Sequence, residues 1–532
     1  MKKIFLTIIL FLFSAVLFTQ TADDADRDFT LYLSEGIPML HPHVAFNADE
    51  AQILSAVYEG LFVYDPYTLQ PVLGIAESWT VKNGRTWHFT LKKGAKFENG
   101  DPITAQTFVD SWLNLLTPEA DYQYASLLDC IDGAADYRMG KLKNKNQVGI
   151  RAESETELVV YTNTPSEHLP GILCHHAFSA VHKTQLDDAK KFHSIAELKN
   201  AKTAFKPIAS GAYKIEQFTD EQITFVKNEN YWDKDSVRIK KINLITKLEG
   251  LEAAEKFNKG EIDWLSRADI LSKIGDQRYI HIDPMFATEF FFFKTSSETV
   301  ENKEVRKALL LAIPYDELRE GYIIKASTLV FPLAGYPEIN GIKEQDLFQA
   351  EQIIKKLDLS ENQKILTIKI PDSEYHKKLI DILSKAWAKL GFSCDVKTFT
   401  FSEYYDELKI KDYSLGTISW IGDFADPLTF LEMFRSDSTL NESDWRNREF
   451  ELKLRSAGGE KQFKKRFEKL SQAEKILLEE SVIIPLSHNA SVNIIDLFSI
   501  DGWYPNAIDI HPFKFIKFSK PQPLPGIVKL TN

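Results

Sequence analysis

Two strand–helix–strand segments, one in each half of the chain, restrict its fold more than any other feature. In the C-terminal half ILTIKI (365–370) alternates like a strand. A helix is predicted next, with Leu379, Ile380, Leu383, Trp387 and Leu390 on one face and Gly391 closing it, and FSCDVKTF (392–399) is the following strand. In the N-terminal half KKINLITK (240–247) reads as a strand. LEAAEKFNKG then places Leu251, Ala254 and Phe257 at helical spacing, Gly260 stops the helix, and a short apolar run surrounds Trp264. Units of this length bring their strands parallel through a right-handed crossover, so two α/β lobes are predicted. The chain length agrees, since 532 residues are too many for one hydrophobic core. With 44% hydrophobic residues and interspersed charges, sizeable cores are expected and extensive disorder is not. No repeat or Pro/Gly-rich linker separates the halves, so short crossings should join the lobes.

The chain begins MKKIFLTIILFLFSAVLFTQTADD. Lys2 and Lys3, an apolar run from Ile4 to Phe18 and small polar residues after it form the pattern of a secretory signal peptide, expected over residues 1–22. The run is shorter than the roughly 20 residues of a spanning helix. The formal charge is −12 and becomes more negative once the two lysines leave, which argues against nucleic acid or an anionic membrane as partner. Cys130, Cys174 and Cys394 allow at most one internal disulfide and leave a spare thiol.

Chemistry is concentrated in SWIGDFADPLTF (419–430), where two aspartates interrupt an apolar dozen. YSLGTISW (413–420) is a predicted strand, broken by Gly422. Asp426 followed by Pro427 reads as a helix N-cap with proline in the first turn, with Leu428, Leu431 and Phe434 continuing the helix. Asp423 has no such duty. It is either a solvated loop acid or a carboxylate awaiting a ligand, and ligands collect beyond the carboxyl ends of strands in open sheets. Other chemistries lack support. His41 and His43 flank Pro42, and HLPGILCHHAFSAVH holds His168, Cys174, His175, His176 and His182, but neither has metal-ligand spacing, so no metal or other cofactor is expected. No G-x-S-x-G, H-E-x-x-H or phosphate-loop motif is present, so an enzyme is not expected.

Several blocks together resemble the bacterial extracellular solute-binding family 5, the oligopeptide- and dipeptide-binding proteins of ABC importers. AESWTVKNGRTWHFTLKKGAKFENGDPITAQTFVDSW (76–112) is similar to the family signature, with RTWHFTLKKGAKF read as a strand pair. YEGLFVYD (58–65), SGAYKIEQF (210–218), NENYWDK (228–234), NKGEIDW (258–264), NKEVRKALLLAIP (302–314) and VIIPL (482–486) follow in family order. The resemblance implies an α/β two-lobed periplasmic-binding-protein class II fold with an extra subdomain in lobe I. Lobe I would run to about residue 285 with the insertion at about 73–180, lobe II would span 286–485, and 486–532 would return to lobe I. It implies a monomer, periplasmic or at the cell surface, that captures short peptides between its lobes for a membrane ABC permease. A metal complex or oligosaccharide as ligand is the alternative, and a hydrolase a more distant one. In the family's W-x-x-D pattern Asp423 would pair with a peptide α-ammonium and Trp420 would line a side-chain pocket. QYASLLDCIDGA (123–134) resembles a block that would turn Tyr124 to the cleft, a core tyrosine being the other reading. LHPHVAFNADEA (40–51) would set Phe46, Asn47 and Ala48 beside the peptide main chain, although some relatives carry glutamate where Phe46 stands.

Overall fold

The structure is a computed structural model. It describes residues 27–519 apart from 34–37, 119, 121, 193–204, 267–269 and 425, so the predicted signal peptide lies outside the described residues. Within them, eleven strands form one mixed sheet. They are β1 (Phe29–Tyr32), β2 (Tyr213–Phe218), β3 (Gln222–Lys227), β4 (Lys241–Ile245), β5 (Trp264–Ser266), β6 (Ile280–Phe293), β7 (Ile324–Lys325), β8 (Ile365–Pro371), β9 (Ser393–Phe399), β10 (Leu415–Ile421) and β11 (Ile483–Ile495). The order across the sheet is β9-β8-β10-β6-β11-β5-β1-β4-β3-β2, with β7 paired to β11.

The C-terminal strand–helix–strand unit is as expected. β8 and β9 pair in parallel, and the Glu374–Ala388 helix between them buries Leu379, Ile380, Leu383 and Trp387. Ser373 caps that helix, and Gly391 leaves it with a φ of 85° that suits glycine. The N-terminal unit differs in two ways. β4 and β5 do not touch, because β1 lies between them and runs parallel to both. Leu251 is 49% exposed, and the Gly250–Asn258 helix buries Ala253, Ala254 and Phe257 instead. A spacing of three residues drifts about 60° per step around a helix of 3.6 residues per turn, so Leu251 falls off the inner face.

RTWHFTLKKGAKF is one strand and a turn rather than a strand pair. Thr86–Leu91 pairs back onto Ala76–Lys82 through Asn83-Gly84, whose φ values of 54° and 67° match a tight hairpin turn. With Glu157–Tyr161 and Ile150–Ala152 these strands make a four-stranded sheet separate from the main one. Lys92 in the basic turn donates to the carbonyls of Gly74 and Ala76, both at 2.6 Å.

One apolar core gathers Phe29, Leu31, Phe225, Trp264 and Trp503, and another Phe291, Phe293, Leu309, Leu383 and Trp387. A third joins Phe89, Trp112 and Leu128 to Trp420, Phe430 and Phe467. The long strands β6 and β11 run between the first two. Their pairing runs from Ile280↔Ile494 to Pro284↔Ala490, shifts, and resumes at Thr288↔His488. Inside that break the Phe286 N–H donates to the Ala507 carbonyl at 2.6 Å, and the Phe286 carbonyl accepts from Gly422 N–H at 2.8 Å. Cys130, Cys174 and Cys394 are free thiols. No helix among the described residues is long and apolar enough to cross a membrane.

Candidate ligand-binding site

A cavity of about 710 Å³ opens where β10, β6 and β11 face the loop before the Ala48–Val57 helix. All six residues singled out above line it: Phe46, Asn47, Ala48, Tyr124, Trp420 and Asp423.

Each is held by a local device. The Asn47 side chain caps the helix by accepting from Glu50 N–H at 2.8 Å, and the Glu50 carboxylate accepts in return from the N–H groups of Met39, Phe46 and Asn47. Phe46 packs edge-on to Tyr405, with ring centroids 4.7 Å apart. Tyr124 satisfies both readings offered for it: its ring is buried yet borders the cavity, and its hydroxyl donates to the Phe46 carbonyl at 3.0 Å. Trp420 is buried on β10, and among the described residues its indole N–H has no hydrogen-bond partner. A buried donor left open costs free energy unless something arrives to accept from it.

Asp423 lies just past β10. Its main chain is clamped: its N–H donates to Thr429 Oγ1 at 2.9 Å, and its carbonyl accepts from the Tyr64 hydroxyl. Gly422 permits this approach, because a Cβ there would lie 2.5 Å from the Phe286 ring and 2.9 Å from Thr429. The side chain is 7% exposed, which removes the solvated-acid reading. Among the described residues its carboxylate has two distant neighbours: Thr429 Oγ1 at 3.5 Å and His175 Nε2 at 3.6 Å. His175 Nδ1 accepts from Ala177 N–H, so the proton is assigned to Nε2, facing Asp423 from beyond hydrogen-bond range. Burial holds His175 well below the usual histidine range, so it faces Asp423 as a neutral ring. Burial likewise pushes the Asp423 carboxyl up to about 8, with the nearby Glu432 adding to the rise and Thr429 opposing it.

The helix begins one residue later than expected, with Pro427 rather than Asp426 at its cap position. The Asp426 carboxylate still accepts from Leu428 N–H at 2.9 Å, and it also pairs with Arg466, a partner the sequence did not suggest. The helix it opens is short, Leu428–Leu431, and continues as a 3₁₀ turn through Phe434.

Other residues of the cavity were not singled out beforehand, among them Glu289, Tyr322, Tyr375 and Tyr405. Nearby, Asp129 accepts from Arg138 at 2.7 Å and from Arg435, while Thr439 Oγ1 donates to the Gln123 carbonyl at 2.6 Å, tying segment 123–138 to segment 435–439. Of the histidines, His41 and His43 contact each other edge-on, and His182 bonds Asp101 at 2.8 Å. Among the described residues no group of three or more His, Cys, Asp or Glu side chains is placed to hold a metal ion.

Residues 70–442 match the family described as bacterial extracellular solute-binding proteins, family 5 Middle. The chain is similar to the oligopeptide-binding protein OppA of Bacillus subtilis, 28% identical over 84% of this chain and 85% of that one. Among solved structures it is similar to the Escherichia coli murein tripeptide binding protein MppA, with a TM-score of 0.80 at 24% identity over 93% of this chain and 99% of that one. Against the unliganded open form of MppA the score is 0.62 over 93% and 97%, at the same identity. Haemophilus influenzae OppA in complex with the peptide RPPGFSPFR gives 0.79 at 20% identity over 94% of this chain and 100% of that one. The architecture is the two-lobed α/β class II binding-protein fold, and the chain belongs to the bacterial extracellular solute-binding proteins, family 5.

Proposed function

We propose that this protein captures short peptides in the cavity and presents them to a membrane ABC permease. The observation that carries the reading is a deeply buried carboxylate, Asp423, bordering a peptide-sized cavity and making, among the described residues, only neutral, distant contacts of its own. A peptide α-ammonium is the group that would complete it, through a charge-assisted hydrogen bond shielded from water. The open indole N–H of Trp420, on the strand leading to Asp423, would serve a peptide carbonyl. Phe46, Asn47, Ala48 and Tyr124 would border the first peptide residues from the opposite side.

The reading includes the lobe division. Lobe I would end at about residue 285 and return after about 486, with the subdomain at about 73–180 and lobe II at 286–485. The pairing break in β6 and β11 falls at these crossings, which suits a hinge. The protein would act as an exported monomer, its leader within residues 1–22, and would release peptides uncleaved. Mass spectrometry of ligands freed by denaturing the purified protein tests the proposal. Short peptides are expected, and a metal complex, an oligosaccharide or hydrolysis products would overturn it.

A further inference from the structure

The cavity holds a second buried acid that the α-ammonium does not use. Glu289 sits in the middle of β6, opposite Ser419 on β10 and Ser487 on β11, and is 9% exposed. Its Oε2 accepts from the Tyr375 hydroxyl at 2.6 Å, and its Oε1 stands 3.9 Å from His376 Nε2. Tyr375 is in turn bonded to Tyr322. Neither Tyr375 nor His376 supplies a positive charge, since burial lowers the His376 ring to about 4. Burial pushes the Glu289 carboxyl up to about 7. Among the described residues no lysine or arginine lines the cavity. The other acids that border it have company: Glu442 feels Lys294, Lys409 and Lys411, and Asp509 accepts from Asn493 and bonds His511.

Resting on the peptide reading above, we propose that Glu289 and Tyr375 form a cation subsite that selects peptides bearing a lysine or arginine side chain. The strand geometry sets the distance. Ser419, beside Glu289, precedes Asp423 by four residues of chain, roughly 13 Å at strand rise. An extended peptide anchored by its ammonium at Asp423 covers that in about three to four residues, less the reach of a long basic side chain. The subsite therefore reads a residue within the first four of the ligand. The absence of lysine and arginine from the wall works in the same direction, because an acidic peptide side chain finds no countercharge there.

The test is calorimetry with a set of free-amine tetrapeptides, all alanine or with a single Lys, Gln or Glu at position 2, 3 or 4, on the wild type and Glu289→Gln. Glutamine keeps an acceptor for Tyr375 and removes the charge. At one position Lys is expected to bind at least about tenfold more tightly than Gln, and Glu more weakly than either. Glu289→Gln should bring the Lys/Gln ratio to about one while changing all-alanine affinity less than about threefold. A ratio near one in the wild type, or one that persists in the variant, overturns the subsite alone. If no tetrapeptide binds, the peptide reading itself falls.

Discussion

Two buried carboxylates in this protein have opposite surroundings. Glu59, deep beside the Ala48–Val57 helix, is 1% exposed and fully served: Tyr231 donates at 2.9 Å, Trp232 Nε1 at 3.1 Å and Lys514 Nζ at 3.0 Å. Asp423 is comparably dry, and its nearest side-chain contacts are 3.5 and 3.6 Å away. A fold that can bring a cation and two neutral donors to one buried acid can do so for another. The contrast teaches that burial alone does not mark a site. An acid that is buried and underserved does, because its desolvation is offset only when a partner comes from outside.

The comparison breaks most visibly at Glu59. Glu59→Ala strands the Lys514 ammonium in the interior and should cost about 3–5 kcal/mol of stability by denaturant unfolding. Adding Lys514→Met should recover much of that loss. A single mutant as stable as the wild type would erase the distinction between the two acids. Asp423→Ala should behave conversely, leaving the free protein at least as stable but weakening free-amine peptides by roughly 2–5 kcal/mol, or about 30- to several-thousand-fold. N-acetylated peptides, already weak on the wild type, should show no further loss. Asp426→Ala is next in size: it removes the acceptor of Leu428 N–H and the partner of Arg466, so about 2 kcal/mol of stability should go with little change in affinity.

The smallest effect is in the pH dependence. Asp423 is raised from 3.8 to about 8, so near pH 7 the folded, empty protein holds a proton there that the unfolded chain has lost. Its contribution to stability is therefore greatest below about pH 4 and declines as pH rises towards 8, a slope that Asp423→Asn should flatten. On the proposed reading, pairing with an ammonium would ionise the carboxyl and expel the proton. Below pH 8 peptide affinity should thus rise by up to about tenfold, 1.4 kcal/mol, per pH unit. Calorimetry in two buffers of different ionisation enthalpy would detect the released proton, and none released at pH 6.5 would contradict the raised value.

The burial of Asp423 at the cavity could be anticipated because, of the two acids in an apolar dozen, it alone has no local duty, whereas Asp426 before Pro427 carries the local signature of a helix start. Glu289 emits the same signal as Asp423, one acid inside MFATEFFFF, and it could have been found by the same rule. His175 could not, since nothing in CHH says which ring will face an acid more than two hundred residues away. The C-terminal β8–β9 unit could be read because its pairing is local. The insertion of β1 between β4 and β5 could not, because four residues, FTLY, carry no mark of partners more than two hundred residues downstream. Arg466 and the Asn83-Gly84 hairpin show the two extremes, a partner set by tertiary packing and a turn set by two adjacent residues.

The hydrogen bond from Gly422 N–H to the Phe286 carbonyl has a kinetic consequence. It fastens the residue before Asp423 to the place where β6 and β11 lose register, so on the proposed reading the anchor for a guest and the pivot between the halves would be one hydrogen bond apart. Prying the halves apart pulls on the same backbone that aims the carboxylate. Residence time and opening rate would then be coupled, and a permease that forced the proposed pivot would loosen the cargo in the same stroke.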